Sequence, residues 1–323
     1  MDTSTDIADT FLKRPPAEYF QISAAQLSSV EWDLASRPFT GLALGCPANI
    51  NTGERETLPL LVATQFGAKR DWRTPISENL FVLLFDQTTS TVSAATPFAE
   101  NNADRPDPGE PERGPEPVGD AAGGVATSVR LVDARELFRI DWKRPRSLSL
   151  FALSFDFISN PATVTLSGDT PVPAAVAKPV NPTAGEAEGS LPSYDPAFVK
   201  MKPGGNALAF TLAIESGVCL ARGVIKIPVR AHHLPAGPTT VAGRRVAAVI
   251  PVSLVLTGRA WQRPWIFDWA VPAFGDDAAV GTPVLAVFAI PLPDEKFLLL
   301  AGGDYVGWMI LDGTAYGPAR FTK

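Results

Sequence analysis

Hydrophobic and polar positions alternate along much of the chain, in runs of strand length. The clearest run is Leu148–Ile158, in which every second residue belongs to one stripe, made of Ser149, Phe151, Leu153, Phe155 and Phe157. A period of two places such a stripe on one face of a β-strand, where it must be buried. The same pattern predicts strands over Leu58–Phe66, Leu80–Phe85, Ser90–Ala95, Ala162–Leu166, Leu208–Ile214, Val218–Val229, Val246–Leu256, Trp265–Val271, Val284–Ile290, Phe297–Leu300 and Tyr305–Leu311.

Helical periodicity is much rarer. Val129–Phe138 is the best internal candidate for a helix, because charged residues separate its apolar residues at partly helical spacing. The 31 prolines and 26 glycines interrupt the apolar runs and favour many tight turns. We therefore predict an all-β protein, an antiparallel β-sandwich or jelly roll with two domains, long Pro/Gly-rich loops and few short helices.

Two stretches interrupt the strand pattern and mark the expected domain organisation. Residues 99–124 contain five prolines and seven acidic residues, so they cannot bury enough apolar surface to offset the entropy of ordering. They are predicted to be a mobile acidic insertion. Residues 171–196, rich in Pro, Gly and Ala, are predicted to be a linker or a long surface loop. The expected domains are an N-terminal arm over 1–20, a first sandwich over 21–170 and a second over 197–323.

Composition and charge narrow the class of protein. Apolar residues make up 46% of the chain and charged residues 19%, which excludes a fully disordered chain and a coiled coil. The net charge of -6 argues against strong electrostatic attraction to the phosphate backbone of nucleic acids, so we expect no specific nucleic-acid binding. The two cysteines, Cys46 and Cys219, are too few for a disulfide framework and are expected to be buried or half-buried free thiols.

The N-terminal residues lack the features of a targeting segment. They have neither the basic start nor the apolar stretch of a secretory signal, and no apolar run approaches the length of a membrane span. We expect a protein that is made in the cytoplasm, with assembly into a virion or other particle as one destination. Secretion by a signal-free route and contact with a membrane stay open.

The catalytic inventory is thin. The chain has two histidines, the adjacent His232 and His233, whose side chains are expected to diverge rather than to form a metal site. No G-x-S-x-G elbow and no phosphate-binding glycine loop occurs. Acidic pairs such as Asp276-Asp277 lie in turn-like contexts, which favours solvated turn residues over a glycosidase dyad. We predict no catalytic, cofactor-binding or metal-binding residue, and a protein that is not an enzyme.

One segment has an unusual concentration of aromatic and arginine residues. If it is extended, one face presents a strip at period two, made of Trp261, Arg263, Trp265, Phe267 and Trp269. Buried, this strip is an aromatic core belt with arginine stems packed alongside. Exposed, it is either a subunit interface or a strip that binds sugars or other rings by stacking. The sequence leaves these three interpretations open.

The segment Trp142–Leu166, WKRPRSLSLFALSFDFISNPATVTL, resembles segments of structural proteins of tailless viruses and phages. In those proteins a long strand with a Phe/Ile stripe is followed by an Asn-containing turn and a Thr/Val strand. The resemblance covers about 25 of the 323 residues. It implies jelly-roll domains, often two per chain, with long loops and with termini that tie neighbouring subunits together, and it implies no role for any single residue.

These observations favour a non-catalytic structural protein that self-assembles, in first place a viral coat or virion component. Its expected partners are further copies of itself or other structural subunits. The arm over residues 1–20 either contacts a neighbouring subunit or is a frayed terminus. The alternative function is a carbohydrate-binding or lectin-like module that uses the strip from Trp261 to Trp269. A third is a hydrolase whose acidic residues meet only in the fold.

Overall fold

A computed structural model describes residues 20–21, 26–27, 29–30, 34, 41–67, 80–97, 125–142, 144–168, 207–215, 217–258, 263–292 and 302–323. The chain forms two compact units. Unit 1 comprises Met1–Leu84, Ala94–Pro145 and Ser149–Asp169, and unit 2 comprises Phe85–Ser93, Arg146–Leu148 and Thr170–Lys323. The predicted insertion and linker, and all but the last residue of the predicted arm, lie outside the described residues. The boundaries of the two predicted sandwich domains stay a prediction.

The first half of the chain is built from short strands. In chain order they are β1 (Gly41–Gly45), β2 (Asn49–Asn51), β3 (Pro59–Gly67), β4 (Leu80–Asp86), β5 (Thr91–Ala95), β6 (Val125–Asp133), β7 (Arg146–Ser154), β8 (Phe157–Ile158) and β9 (Ala162–Ser167). One sheet has the antiparallel order β1-β3-β6. Helical residues near the N-terminus pack on it, because Leu27, Val30 and Leu34 join the cluster of Leu61 and Val129. Their spacing is helical, and the sequence analysis missed it.

The second sheet of this half has the order β2-β9-β7-β4-β5, with β8 paired to β7. Every residue of β4 is buried, and so is every residue of β7 from Leu148 onward. Strands that are buried on both faces have continuous apolar sequences rather than alternating ones. This explains why the predicted strand Leu80–Phe85 shows no alternation.

The predicted helix over Val129–Phe138 is wrong in its first half and right in its second. Val129–Asp133 belongs to β6, and only Ala134–Phe138 is helical. The pairing of β6 with β3 outweighs the weak helical spacing. The helix begins where it does because the Asp133 carboxylate accepts hydrogen bonds from the amides of Arg135 and Leu58, both at 2.9 Å.

The predicted single strand over Leu148–Ile158 is also wrong at its end. Strand β7 stops at Ser154, and Phe155 turns the chain with φ at 47°. Strand β8 then pairs back on β7, with Phe157 opposite Ser154. The aromatic stripe therefore ends at a two-residue turn instead of continuing along one strand. The predicted return strand after it is confirmed as β9.

Unit 2 contains the longest strands. In chain order they are β10 (Ala207–Glu215), β11 (Val218–Pro228), β12 (Thr240–Val241), β13 (Arg244–Gly258), β14 (Trp265–Phe274), β15 (Pro283–Pro291), β16 (Asp304–Leu311) and β17 (Thr314–Thr322), with one turn of 3-10 helix, Ala231–His233, before β12. One sheet has the order β10-β11-β15. The other has β13 paired to β12, β14 and β16, and β16 paired to β17.

Two sheets of unit 2 face each other across one hydrophobic core. The core takes alternate residues from both, for example Ile225 and Phe288 from the first sheet and Ile250, Val271 and Met309 from the second. The predicted all-β class and antiparallel β-sandwich are confirmed. The chain crosses between the two sheets after β11, β14 and β15, and the finer jelly-roll connectivity stays a prediction.

Two glycines of unit 2 make room in this core for large side chains. A Cβ atom on Gly223 would lie 2.5 Å from Phe288 Cζ on the neighbouring strand. A Cβ atom on Gly307 would meet the end of Leu212, which reaches it from the opposite sheet. Both positions point inward, so glycine here serves packing rather than a turn.

Candidate functional site

The aromatic strip predicted from the sequence points mainly into the core of unit 2. Trp269 is only 7% exposed, and the half-buried Trp265 and Phe267 pack against the core cluster. The rings form a ladder, with Phe267 stacked on Trp269 at 6.4 Å between centroids and Trp265 edge-on to Phe267 at the same distance. Arg263 is exposed, and Trp261 lies outside the described residues. We base no ligand proposal on this strip.

The opposite surface of the sandwich has a different character. Residues of β10, β11 and β15 that alternate with the core residues must point away from the core, and we call their surface the outer face. Its apolar members are Ala209, Ala213, Leu220, Val224, Pro228, Pro283, Leu285, Val287, Ala289 and Pro291, of which Val224 is buried. Leu285 is 48% exposed, and Val280, in the loop before β15, is 63% exposed. Few large hydrophobic side chains in the described part of the chain are so open to solvent.

Charged groups on the outer face are few. Glu215 and Arg222 form an ion pair of 2.7 Å, so their charges cancel locally. Lys226 is exposed and lies opposite Leu285 in the strand register. A lysine beside an exposed apolar surface is a common device that limits uncontrolled association.

Three edge strands of the same sandwich carry a proline, whereas β10, which also pairs on one side only among the described strands, carries none. Strands β14, β15 and β17 each pair on one side only among the described strands, and they carry Pro272, Pro291 and Pro318 respectively. Proline has no N–H to donate to an added strand. Contact with another chain through these edges is therefore disfavoured relative to contact through the outer face.

The two histidines form a polar cluster with an acid that is distant in the chain. Asp312 is the first residue of the Asp-Gly turn between β16 and β17. Its Oδ1 lies 3.4 Å from Nε2 of both His232 and His233, and its Oδ2 lies 3.1 Å from Arg230 Nε. The expectation that the histidines diverge is wrong, because neighbours in a 3-10 helix are about 120° apart and not 180° as on a strand.

This cluster is the one group in the described ranges whose His, Cys or acidic side chains lie close enough together to hold a metal ion. The tautomer of His233 speaks against that use. The Arg230 amide donates a hydrogen bond of 3.1 Å to His233 Nδ1, so the ring proton resides on Nε2, the atom that faces Asp312. A metal-bound histidine needs the reverse arrangement, with its other nitrogen as donor. His232 and Asp312 alone are fewer ligands than a zinc site requires.

Electrostatics of the cluster favour a charged Asp312. Burial by itself would raise the pKa of this carboxyl group, but its contacts with His232 and His233 and the nearby Arg230 guanidinium outweigh burial and hold the pKa well below its ordinary value. Burial and the Asp312 carboxylate in turn raise the pKa of Tyr316. Asp312 is therefore negatively charged near neutral pH, and the Arg230 guanidinium balances this charge.

Unit 1 has an open cleft of about 600 Å³, a volume in the range of ligand pockets. It is lined by Phe20, Gln21, Cys46, Pro47, Ala48, Asn49, Ile50, Asn51, Glu54, Arg55 and Ser167. Burial raises the pKa of Cys46 to about 12 and that of Cys219 to about 11, so neither is a thiolate near neutral pH. The expected buried and half-buried free thiols are confirmed. The cleft therefore presents Cys46 as a neutral thiol and not as an activated nucleophile.

The acidic pair considered for a glycosidase dyad lies on the surface of the protein. Asp276 and Asp277 are exposed in the loop after β14, and Asp277 pairs with Arg245 at 3.0 Å.

Among the described residues, no helix is long and apolar enough to cross a membrane. No protein-family model matches the chain, and no curated protein matches it either.

Proposed function

We propose that the chain is a structural β-sandwich protein that self-assembles, as a subunit of a viral coat or similar particle. The observation that carries the proposal is the outer face of the β10-β11-β15 sheet, which is apolar and partly open to solvent. Contiguous exposed apolar surface is unusual in monomeric soluble proteins and is typical of surfaces that another molecule covers.

The size of the outer face favours a weak contact. Three strands about 4.8 Å apart and about ten residues long give a surface of roughly 14 by 33 Å. Two copies would bury roughly 900 Å² together, which is less than the roughly 1,200 Å² at the lower end of stable interfaces. A contact of this kind is weak alone and gains strength when each subunit makes several of them, as in a particle.

Association through the face also fits the three proline-bearing edges of the sandwich. Prolines on β14, β15 and β17 oppose the addition of a strand at those three edges, whereas the β10 edge carries no proline. Lys226 and the Arg222–Glu215 pair leave only part of the face apolar, which limits non-specific aggregation. The proposed subunit contact is therefore face to face, reversible and dependent on concentration.

The test is light scattering on the purified chain over about a hundredfold range of concentration. Leu285→Lys places a charge at an apolar position of the outer face that is 48% exposed, and its matched control is Thr240→Lys, at an exposed strand position outside the outer face. We expect Leu285→Lys to raise the concentration needed for association about tenfold or more, which is about 1.4 kcal/mol. Thr240→Lys should associate like the native chain.

Two results would contradict the proposal. The first is a monomer at every concentration, with only single molecules in electron micrographs. The second is equal association of the Leu285→Lys and Thr240→Lys chains, which would show that the outer face makes no contact.

A further inference from the structure

Both ring nitrogens of His233 face polar groups inside the protein. Its side chain is fully buried, its Nδ1 accepts the Arg230 amide at 3.1 Å, and its Nε2 lies 3.4 Å from Asp312 Oδ1. The 3-10 turn around it has two backbone hydrogen bonds: the His233 amide donates to the Arg230 carbonyl at 2.9 Å, and the Leu234 amide donates to the Ala231 carbonyl at 3.3 Å. Neither bond involves the Arg230 amide, whose acceptor is the side-chain nitrogen of His233.

We call Arg230, His232, His233 and Asp312 the clasp, since they join the 3-10 turn to the turn between β16 and β17. The only two histidines of the chain both belong to it. Histidine is the side chain whose charge ordinarily changes between pH 5 and 8. Among the described residues, the titratable and charged groups that interact with Asp312 are Arg230, His232 and His233 from the 3-10 segment and Tyr316 of β17.

We infer that the clasp is an acid-sensitive latch, in which a proton taken up by His233 at Nδ1 displaces the Arg230 amide and opens the 3-10 turn. The proton comes from water and adds to the lone pair that the amide used. Two N–H donors would then point at each other, and a buried donor without an acceptor is strongly unfavourable. The opened turn returns the Arg230 amide to water.

The neighbouring charges act in both directions: the Asp312 carboxylate, 3.4 Å from Nε2 of both histidines, favours a charged imidazole, whereas Arg230 and the second imidazole disfavour it. Asp312 is the single acidic group of the clasp, and Arg230 already matches its charge. The imidazole rings are 4.3 Å apart between centroids, so charging both would place two further positive charges beside Arg230 with one carboxylate to share. Loss of the His233 acceptor of the Arg230 amide is therefore the step through which acid opens the clasp.

Amide hydrogen exchange tests the latch in the whole chain. Protection, corrected for the pH dependence of the intrinsic exchange rate, is measured at about pH 7.5 and about pH 5.5, on either side of the ordinary histidine range. We expect the protection of the Arg230 and Leu234 amides to fall about tenfold on acidification, while amides in β16 stay protected.

Two variants separate the latch from general acid sensitivity. In His233→Gln the side-chain oxygen replaces Nδ1 as acceptor, as glutamine does in a capping box, and it does not titrate. This variant should lose the pH dependence, whereas His232→Gln should keep it. Unchanged protection of Arg230 in the native chain would overturn the inference, and so would an equal fall in His233→Gln.

Nitrogen chemical shifts of the histidine rings give a second readout that needs no substitution. The inference requires a proton on Nε2 alone at the higher pH and protons on both nitrogens of His233 when the Arg230 amide loses protection. A doubly protonated His233 beside a fully protected Arg230 amide would overturn it.

Discussion

The aromatic strip of β14 and the outer face of the β10-β11-β15 sheet belong to the same sandwich but have opposite surroundings. On β14 the large rings of Trp265, Phe267 and Trp269 pack against the core. On the outer face, smaller side chains such as Val287 are partly exposed, and Leu285 is nearly half exposed. Position relative to the core, and not aromatic content, therefore decides which of the two surfaces is free to bind another molecule.

Removing a ring from the inward surface should have the largest effect. Trp269→Ala deletes a side chain that is 7% exposed and stacked on Phe267. We expect a loss of about 3–5 kcal/mol in the free energy of unfolding, from lost burial and the cavity left behind. Chemical denaturation, followed by circular dichroism, measures it.

The outward surface supplies the matched control for this loss. Leu285→Ala, measured at a concentration where the chain is monomeric, should lower the free energy of unfolding by less than about 1 kcal/mol, because its side chain is 48% exposed. Similar losses for Trp269→Ala and Leu285→Ala would break the comparison, since they would place both side chains in equally packed surroundings.

A smaller effect is expected at Gly223, where the ring of Phe288 packs directly against a glycine. A methyl group on Gly223 would lie 2.5 Å from both Phe288 Cζ and the Ala209 carbonyl oxygen, so Gly223→Ala must displace a core ring or a strand. Overpacking of this kind costs about 1–3 kcal/mol in the free energy of unfolding. Gly237→Ala is the control, because nothing lies within 4 Å of its Cβ position, and it should stay within about 0.5 kcal/mol of the native chain. A silent Gly223→Ala would contradict the close packing of this sheet.

Strand positions could be predicted from the sequence because burial of one face imposes a period of two. The alternation over Leu208–Ile214 is confirmed as β10, with Leu208 and Leu212 in the core. The outer face could not be predicted, since Val284–Ile290 is apolar at every position and its period does not tell the inner residues from the outer ones. Only the pairing of β15 with β11 assigns Leu285 to the outside.

The clasp shows a second limit of sequence reasoning. The pair His232-His233 has no nearby companion in the sequence, and the partner, Asp312, lies beyond five further strands. The Asp-Gly pair of Asp312 and Gly313 does predict a hairpin turn on its own. Which residues that turn meets depends on the connections between the sheets, and local spacing carries no information about them.

Apart from the control substitutions, the smallest expected stability effect extends the comparison from apolar to acidic side chains. Asp312→Asn keeps the shape of a residue whose side chain is 14% exposed among basic groups, and asparagine also tolerates its positive φ. We expect a loss of roughly 1–2 kcal/mol near neutral pH, from the lost charged contacts. Asp277→Asn, in an ion pair whose acid is 86% exposed, should have no measurable effect.

The pH dependence gives this last prediction a sign. Because the pKa of Asp312 in the folded chain lies below the ordinary value of 3.8, its stabilising contribution is complete above that value and is lost as pH falls through the folded pKa. The advantage of the native chain over Asp312→Asn, measured by thermal unfolding, should therefore hold near pH 5 and shrink once the pH is below about 3.5. An advantage that persists undiminished in stronger acid would mean that the shape of the Asp312 side chain stabilises the turn and that its charge does not.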